Sequence, residues 1–170
     1  MKRFVDNSIR IVATLILITA ALLWSPTPGY AAGSTARTAL EDATAAANKW
    51  SPDAILTTVY ANTVGIDGKA MAWTYGFYSP KSRKYLNLTA RGRFTDTLEL
   101  ITGQTTSVAA DFLDSDKVME EAVKAGVASE TIRMRLSRTE WLVNEGDRKG
   151  ALSVWLHPRT GKLIKRQTVP

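Results

Sequence analysis

The sequence predicts an α+β protein: two tandem modules, each one helix packed on a three- to four-stranded antiparallel sheet, behind an amino-terminal export segment. Three observations lead there. Two stretches with helical spacing are each followed by runs that alternate apolar and polar residues. Gly- and Pro-bearing turns separate those runs at short intervals. A segment near the carboxy terminus also matches one in the first half at a nearly constant offset.

The first ten residues, MKRFVDNSIR, supply Lys2, Arg3 and Arg10 ahead of the weakly polar run Ile11–Trp24. That run is shorter than the roughly 17–25 residues a bilayer-spanning helix needs, and the small, helix-breaking SPTPGYAA follows it. This is the pattern of a signal peptide, with cleavage expected after Ala31, where Gly29 and Ala31 occupy the positions that favour small residues. An uncleaved anchor is the alternative; the expected location is exported, periplasmic or secreted, on either reading. The expected domains are therefore residues 1–31 as signal, 32–103 as the first module and 104–170 as the second.

The chain has no cysteine, which excludes disulfides and a lipid-modified cysteine after the signal, so its stability must come from a packed core. The formal charge is +6, and removal of three basic residues and Asp6 with the signal leaves +4. The remaining basic residues are scattered among acids instead of forming a stripe, which argues against a nucleic-acid partner.

From Thr35 the spacing of Leu40, Ala43, Ala47 and Trp50 predicts a helix, stopped at Pro52. AILTTVYA is rich in β-branched residues and reads as a strand. After the turn VGIDGK, AMAWTYGFY and KYLNLTA form two strands joined by SPKSR, and a fourth runs through RFTDTLELI. The second helix, in FLDSDKVMEEAVKAG, has Asp114 or Ser115 to cap its start and Gly126 to end it. In TIRMRLSR, Ile132, Met134 and Leu136 alternate with Arg133 and Arg135, a half-buried strand with a wet, cationic outer face. EWLVNE, GALSVWL and GKLIKRQTV complete the second set.

FYSPKSRKYL falls on WLHPRTGKLI at an offset of 78, matching Phe77 with Trp155, Pro80 with Pro158 and Lys84 with Lys162. One misfit stands out. Leu152, Val154 and Leu156 have the look of a buried face, yet their matched residues are Thr74, Gly76 and Tyr78.

The order FLDSDKVMEEAVKAG, EWLV, GALSVWLHPRTGKLIKR resembles the PepSY and PepSY-like modules of bacterial exported proteins, over Leu113 to Gln167 and more weakly over Ala39 to Leu88. The resemblance implies a cystatin-like helix wrapped on an antiparallel sheet, and roles in protease inhibition, chaperoning or extracellular regulation. The chain departs from propeptide members in carrying no peptidase domain after the module, so inhibition of an attached protease is not expected.

No sequence signature of a hydrolase, zinc protease or phosphate-binding loop is present, and the only histidine, His157, reads as a turn residue. No cofactor, metal or catalytic residue is expected. The candidate binding surface is the alternating aromatic set Trp73, Tyr75 and Phe77, with Lys81, Arg83 and Lys84 in the following turn steering anions towards it. The plainer reading of those six residues is sheet core and solvated turn. The expected function is a non-enzymatic binding or regulatory protein, inhibitor- or chaperone-like, that takes a protein or peptide partner through a sheet edge or this aromatic face. The alternative is a small-ligand or glycan binder with an apolar pocket between helix and sheet.

Overall fold

The computed structural model describes residues 33–91 and 94–170; the expected signal peptide lies outside the described residues. Helix α1 spans Leu40–Trp50 and α2 spans Ser115–Lys124. The strands are β1 (Ile55–Val64), β2 (Trp73–Ser79), β3 (Lys84–Arg91), β4 (Phe94–Leu100), β5 (Ile132–Leu136), β6 (Trp141–Asn144), β7 (Leu152–Leu156) and β8 (Leu163–Thr168).

All eight strands belong to one antiparallel sheet in the order β4-β3-β2-β1-β5-β6-β7-β8. This corrects the expected pair of separate helix-on-sheet modules, cystatin-like or otherwise: the described residues make a β-rich fold with a single sheet, in one compact unit. The reason lies in β1 and β5. Each is the innermost strand of its half, and alone each would expose a row of unpaired backbone groups beside an apolar stripe. Pairing them sets Val59 against Leu136 and Ala61 against Met134, which removes both edges and joins the two apolar faces.

Both helices cover the same face of this sheet. α1 packs on β2 and β3 through Ala43 and Ala47, and α2 on β6 and β7 through Val118, Met119 and Ala122. Beneath them Trp73, Tyr75, Phe77, Leu86 and Leu88 merge with Ile132, Met134, Leu136, Trp141 and Val154 in one core. Small residues on α1 let its backbone lie close over the bulky rings of β2.

The first helix starts later than its spacing predicts. Residues 36–39 form turns, in which the amides of Thr38 and Leu40 donate three residues back to Thr35 and Arg37. The amides of Ala36 and Arg37, which a helix starting here would leave without an internal acceptor, donate to Ser115 Oγ at 2.9 Å and Asp114 Oδ1 at 3.0 Å. Asp114 thus serves two segments, since it also accepts from the Ser115 amide at the start of α2. Gly126, with φ of 108°, ends α2 as its sequence implies.

The internal match at offset 78 records a turn type and not a shared place in the fold. Arg83 and Gly161 both adopt left-handed backbone, φ 56° and 68°, and donate their amides to Ser79 and His157 respectively. The first turn joins β2 to β3 and the second joins β7 to β8, one strand further from the β1–β5 seam. Phe77 is consequently buried under the helices while Trp155, its supposed counterpart, lies half-buried on the other face. The misfit of Leu152, Val154 and Leu156 dissolves once β7 is compared with β3, where Leu86, Leu88 and Ala90 form the helix-facing row.

Positions that do correspond are Trp73 and Trp141, each at the start of the second strand after its helix and each fully buried. The indole of Trp73 donates to the carbonyl of Ser34 at 2.7 Å, and that of Trp141 to the carbonyl of Leu113 at 3.0 Å. Each pins the segment that leads into a helix.

Candidate binding surface

The six residues singled out by sequence do not form a surface together. Trp73 and Tyr75 are 0% exposed and Phe77 is 2%, all pointing into the core beneath the helices. The Tyr75 hydroxyl donates to the Ala36 carbonyl at 2.9 Å, and burial pushes its pKa well above the usual tyrosine value. Lys81 and Arg83 are exposed in the β2–β3 turn, and Lys84 is exposed at the start of β3. Lys84 pairs with Glu99 at 3.6 Å, and the amide of Lys81 donates to Asp53. That bond, with the hydroxyls of Ser51 and Ser79, lowers the Asp53 pKa to about 2. An aromatic platform flanked by these cations is therefore absent.

The opposite face of the sheet is different. Among the described residues no helix packs on it, since α1 and α2 share the other side. Strand register builds one row across it: Thr89, Thr74, Tyr60, Arg135, Leu142, Trp155 and Lys165 are successive cross-strand partners from β3 to β8. Such partners share a face and stand roughly 5 Å apart. A second row sets Arg133, Asn144, Ser153 and Gln167 side by side on β5 to β8. Beside the β2–β3 turn Tyr78 and Tyr85 lie with ring centroids 4.9 Å apart.

The centre of this face is a groove of about 570 Å³ lined by Tyr60, Asn62, Arg133, Arg135, Leu142 and Asn144. The Tyr60 hydroxyl is within 3.4 Å of the Asn87 amide nitrogen, and Asn144 donates to Ser153 Oγ at 2.7 Å. Arg133 is held by Asp147 at 2.9 Å. Lys165 sits 4.9 Å over the Trp155 ring. Gly76 lies close against its cross-strand partner Thr58, where a Cβ would meet the threonine methyl at 2.6 Å.

The sequence marks Arg133 and Arg135 as a wet, cationic strand face, and both are exposed there. It does not single out Tyr60, Leu142 or Trp155, whose only signal is that each alternates with a buried neighbour. His157 lies in the β7–β8 turn, its Nδ1 accepting from the amides of Arg159 and Thr160 at 3.3 Å each. Among the described residues no group of three or more acids and histidine is gathered to hold a metal, and no helix is long and apolar enough to cross a membrane.

No family model matches the chain, and neither does a curated protein or a solved structure.

Proposed function

We propose that the protein is a non-enzymatic, exported binding protein whose recognition surface is the helix-free face of its sheet, and that the partner is a protein or peptide met in the envelope or the medium. One observation carries this: the row Tyr60, Arg135, Leu142, Trp155 crosses the centre of that face. Tyrosine, arginine and tryptophan are the residue types that dominate protein interfaces, because they bring large contact area and directed hydrogen bonds at low entropic cost. A sheet is also a stiff platform, so little order is lost on docking. Export rests on the signal-like segment, and a regulatory role of the inhibitor or chaperone kind rests on the PepSY-like order of residues 113–167.

A photo-cross-linking residue at Leu142, compared with one at Val123 on the outer side of α2, tests the reading in the native host. The expected result is one protein adduct from position 142 and none from 123. Adducts from 123 alone, or from neither site, would overturn it.

The small-ligand reading keeps one observation in its favour, the groove volume, which falls within the range of ligand pockets. The apolar space between helix and sheet that it first called for is filled by Trp73, Tyr75 and Phe77. A saturable change in tryptophan emission on titration with oligosaccharides or lipids, without any protein present, would favour it over the first.

A further inference from the structure

We infer that the partner docks an extended segment whose carboxylates, four residues apart, flank an apolar side chain. The inference rests on the helix-free face being the recognition surface and adds the chemistry of what it receives. Along the row the order is cation, apolar, aromatic, cation: Arg135, Leu142, Trp155, Lys165. Neither Arg135 nor Lys165 has a carboxylate partner among the described residues, whereas Arg133 beside them is already held by Asp147. The face therefore presents two unneutralised cations at the ends of an apolar pair, and a complementary partner must present the inverse.

Spacing narrows the partner further. Arg135 and Lys165 are three strands apart, so their backbones are separated by about 14 Å. In an extended peptide residues i and i+4 lie about 13 Å apart and point the same way, with i+2 between them on the same side. A Glu-x-Leu-x-Glu segment lying across the strands sets its two carboxylates on the cations and its leucine on Leu142 and Trp155. A second copy of this chain is a poor occupant of the same face, because it would bring arginine and lysine to arginine and lysine. A polyanion or lipid surface supplies the charge but has no use for the apolar pair at the centre.

The test uses the full chain and two labelled peptides, Gly-Glu-Thr-Leu-Thr-Glu-Gly and its counterpart with both glutamates changed to glutamine, followed by anisotropy and by amide chemical shifts. The glutamate peptide is expected to bind at least tenfold tighter. Arg135→Gln and Lys165→Gln are each expected to erase roughly five- to tenfold of that difference, and raised salt to shrink it. Equal affinity for both peptides overturns the inference; if the shifts still map to β1, β5, β6 and β7, the recognition surface survives without the acidic partner. Shifts confined to the helical side overturn both. Absence of binding by either peptide, or binding of heparin or phosphatidylglycerol vesicles that depends on Arg135 and Lys165 while the glutamate peptide fails, also overturns the inference.

Discussion

Trp73 and Trp141 meet edge to face across the middle of the core, with ring centroids 6.3 Å apart and planes at 80°. One comes from each side of the β1–β5 seam, so their contact ties the two halves of the sheet beneath the helices. Phe112, from the segment that links the halves, adds a third ring 5.9 Å from Trp141.

Truncating either tryptophan to alanine removes a buried ring; Trp141→Ala also strands the carbonyl of Leu113, whereas that of Ser34 keeps the amide of Ala70. Each substitution is expected to cost about 3–5 kcal/mol in urea unfolding. The double variant should lose less than the sum by about 0.5–1.5 kcal/mol, the share that belongs to the ring pair itself. Strict additivity would mean that the contact contributes nothing beyond burial.

A continuous sheet also has a signature in cooperativity. Residues 33–170 are expected to unfold in one transition, with circular dichroism and tryptophan emission coinciding. Trp141→Ala should lower the midpoint seen by both probes equally, although the residue belongs to the second half. Two separable transitions would show the halves to be independent.

Ser115 is completely buried and joins three segments: its hydroxyl donates to the Gly68 carbonyl at 2.7 Å and accepts from the Ala36 amide. Ser115→Ala leaves both backbone groups without that partner, with an expected loss of about 1–3 kcal/mol. Hydrogen exchange should quicken first at Ala36. Unchanged protection there would remove the role assigned to the hydroxyl.

Acid sensitivity should carry a mark of Asp53. Its pKa is lowered from 3.8 to about 2 in the folded chain, so its contribution to stability is present above roughly pH 4 and is lost as the pH falls through about 2. In Asp53→Asn the contribution is missing at neutral pH. The gap between variant and wild-type urea midpoints should therefore narrow from pH 4 down to pH 2; a constant gap would contradict the assignment. Glu145 follows the same sign: burial pushes it up, yet the amides of Ala128, Leu152 and Ser129 outweigh that and hold it below its usual value.

Local chemistry was legible where local chemistry decides. The cap, taken by Asp114 of the two residues offered, the stop at Gly126 and the alternation of Ile132, Met134 and Leu136 with Arg133 and Arg135 all correspond to observed structure. What alternation does not reveal is which of two faces becomes covered. Trp73, Tyr75 and Phe77 were legible as one side of a strand, but their place under α1 depends on a helix more than twenty residues away. Likewise, the pairing of Val59 with Leu136 leaves no trace in either segment read alone. The likeness of SPKSR to HPRTG is real at the level of backbone conformation, and a turn carries no information about which strand of a sheet it follows.

The seam has a temporal consequence. Thr58 reaches its acceptor on Leu136, 78 residues later in the chain, and the ladder beside it, from Val59 with Leu136 to Val64 with Ile132, spans 77 down to 68 residues. Every other pairing joins strands consecutive in the chain, so those hairpins close quickly and cheaply while this one waits for nearly half the polypeptide. A chain that emerges amino terminus first thus carries β1 as a bare edge until β5 arrives, and during that interval it is open to pairing with a neighbour of its own kind.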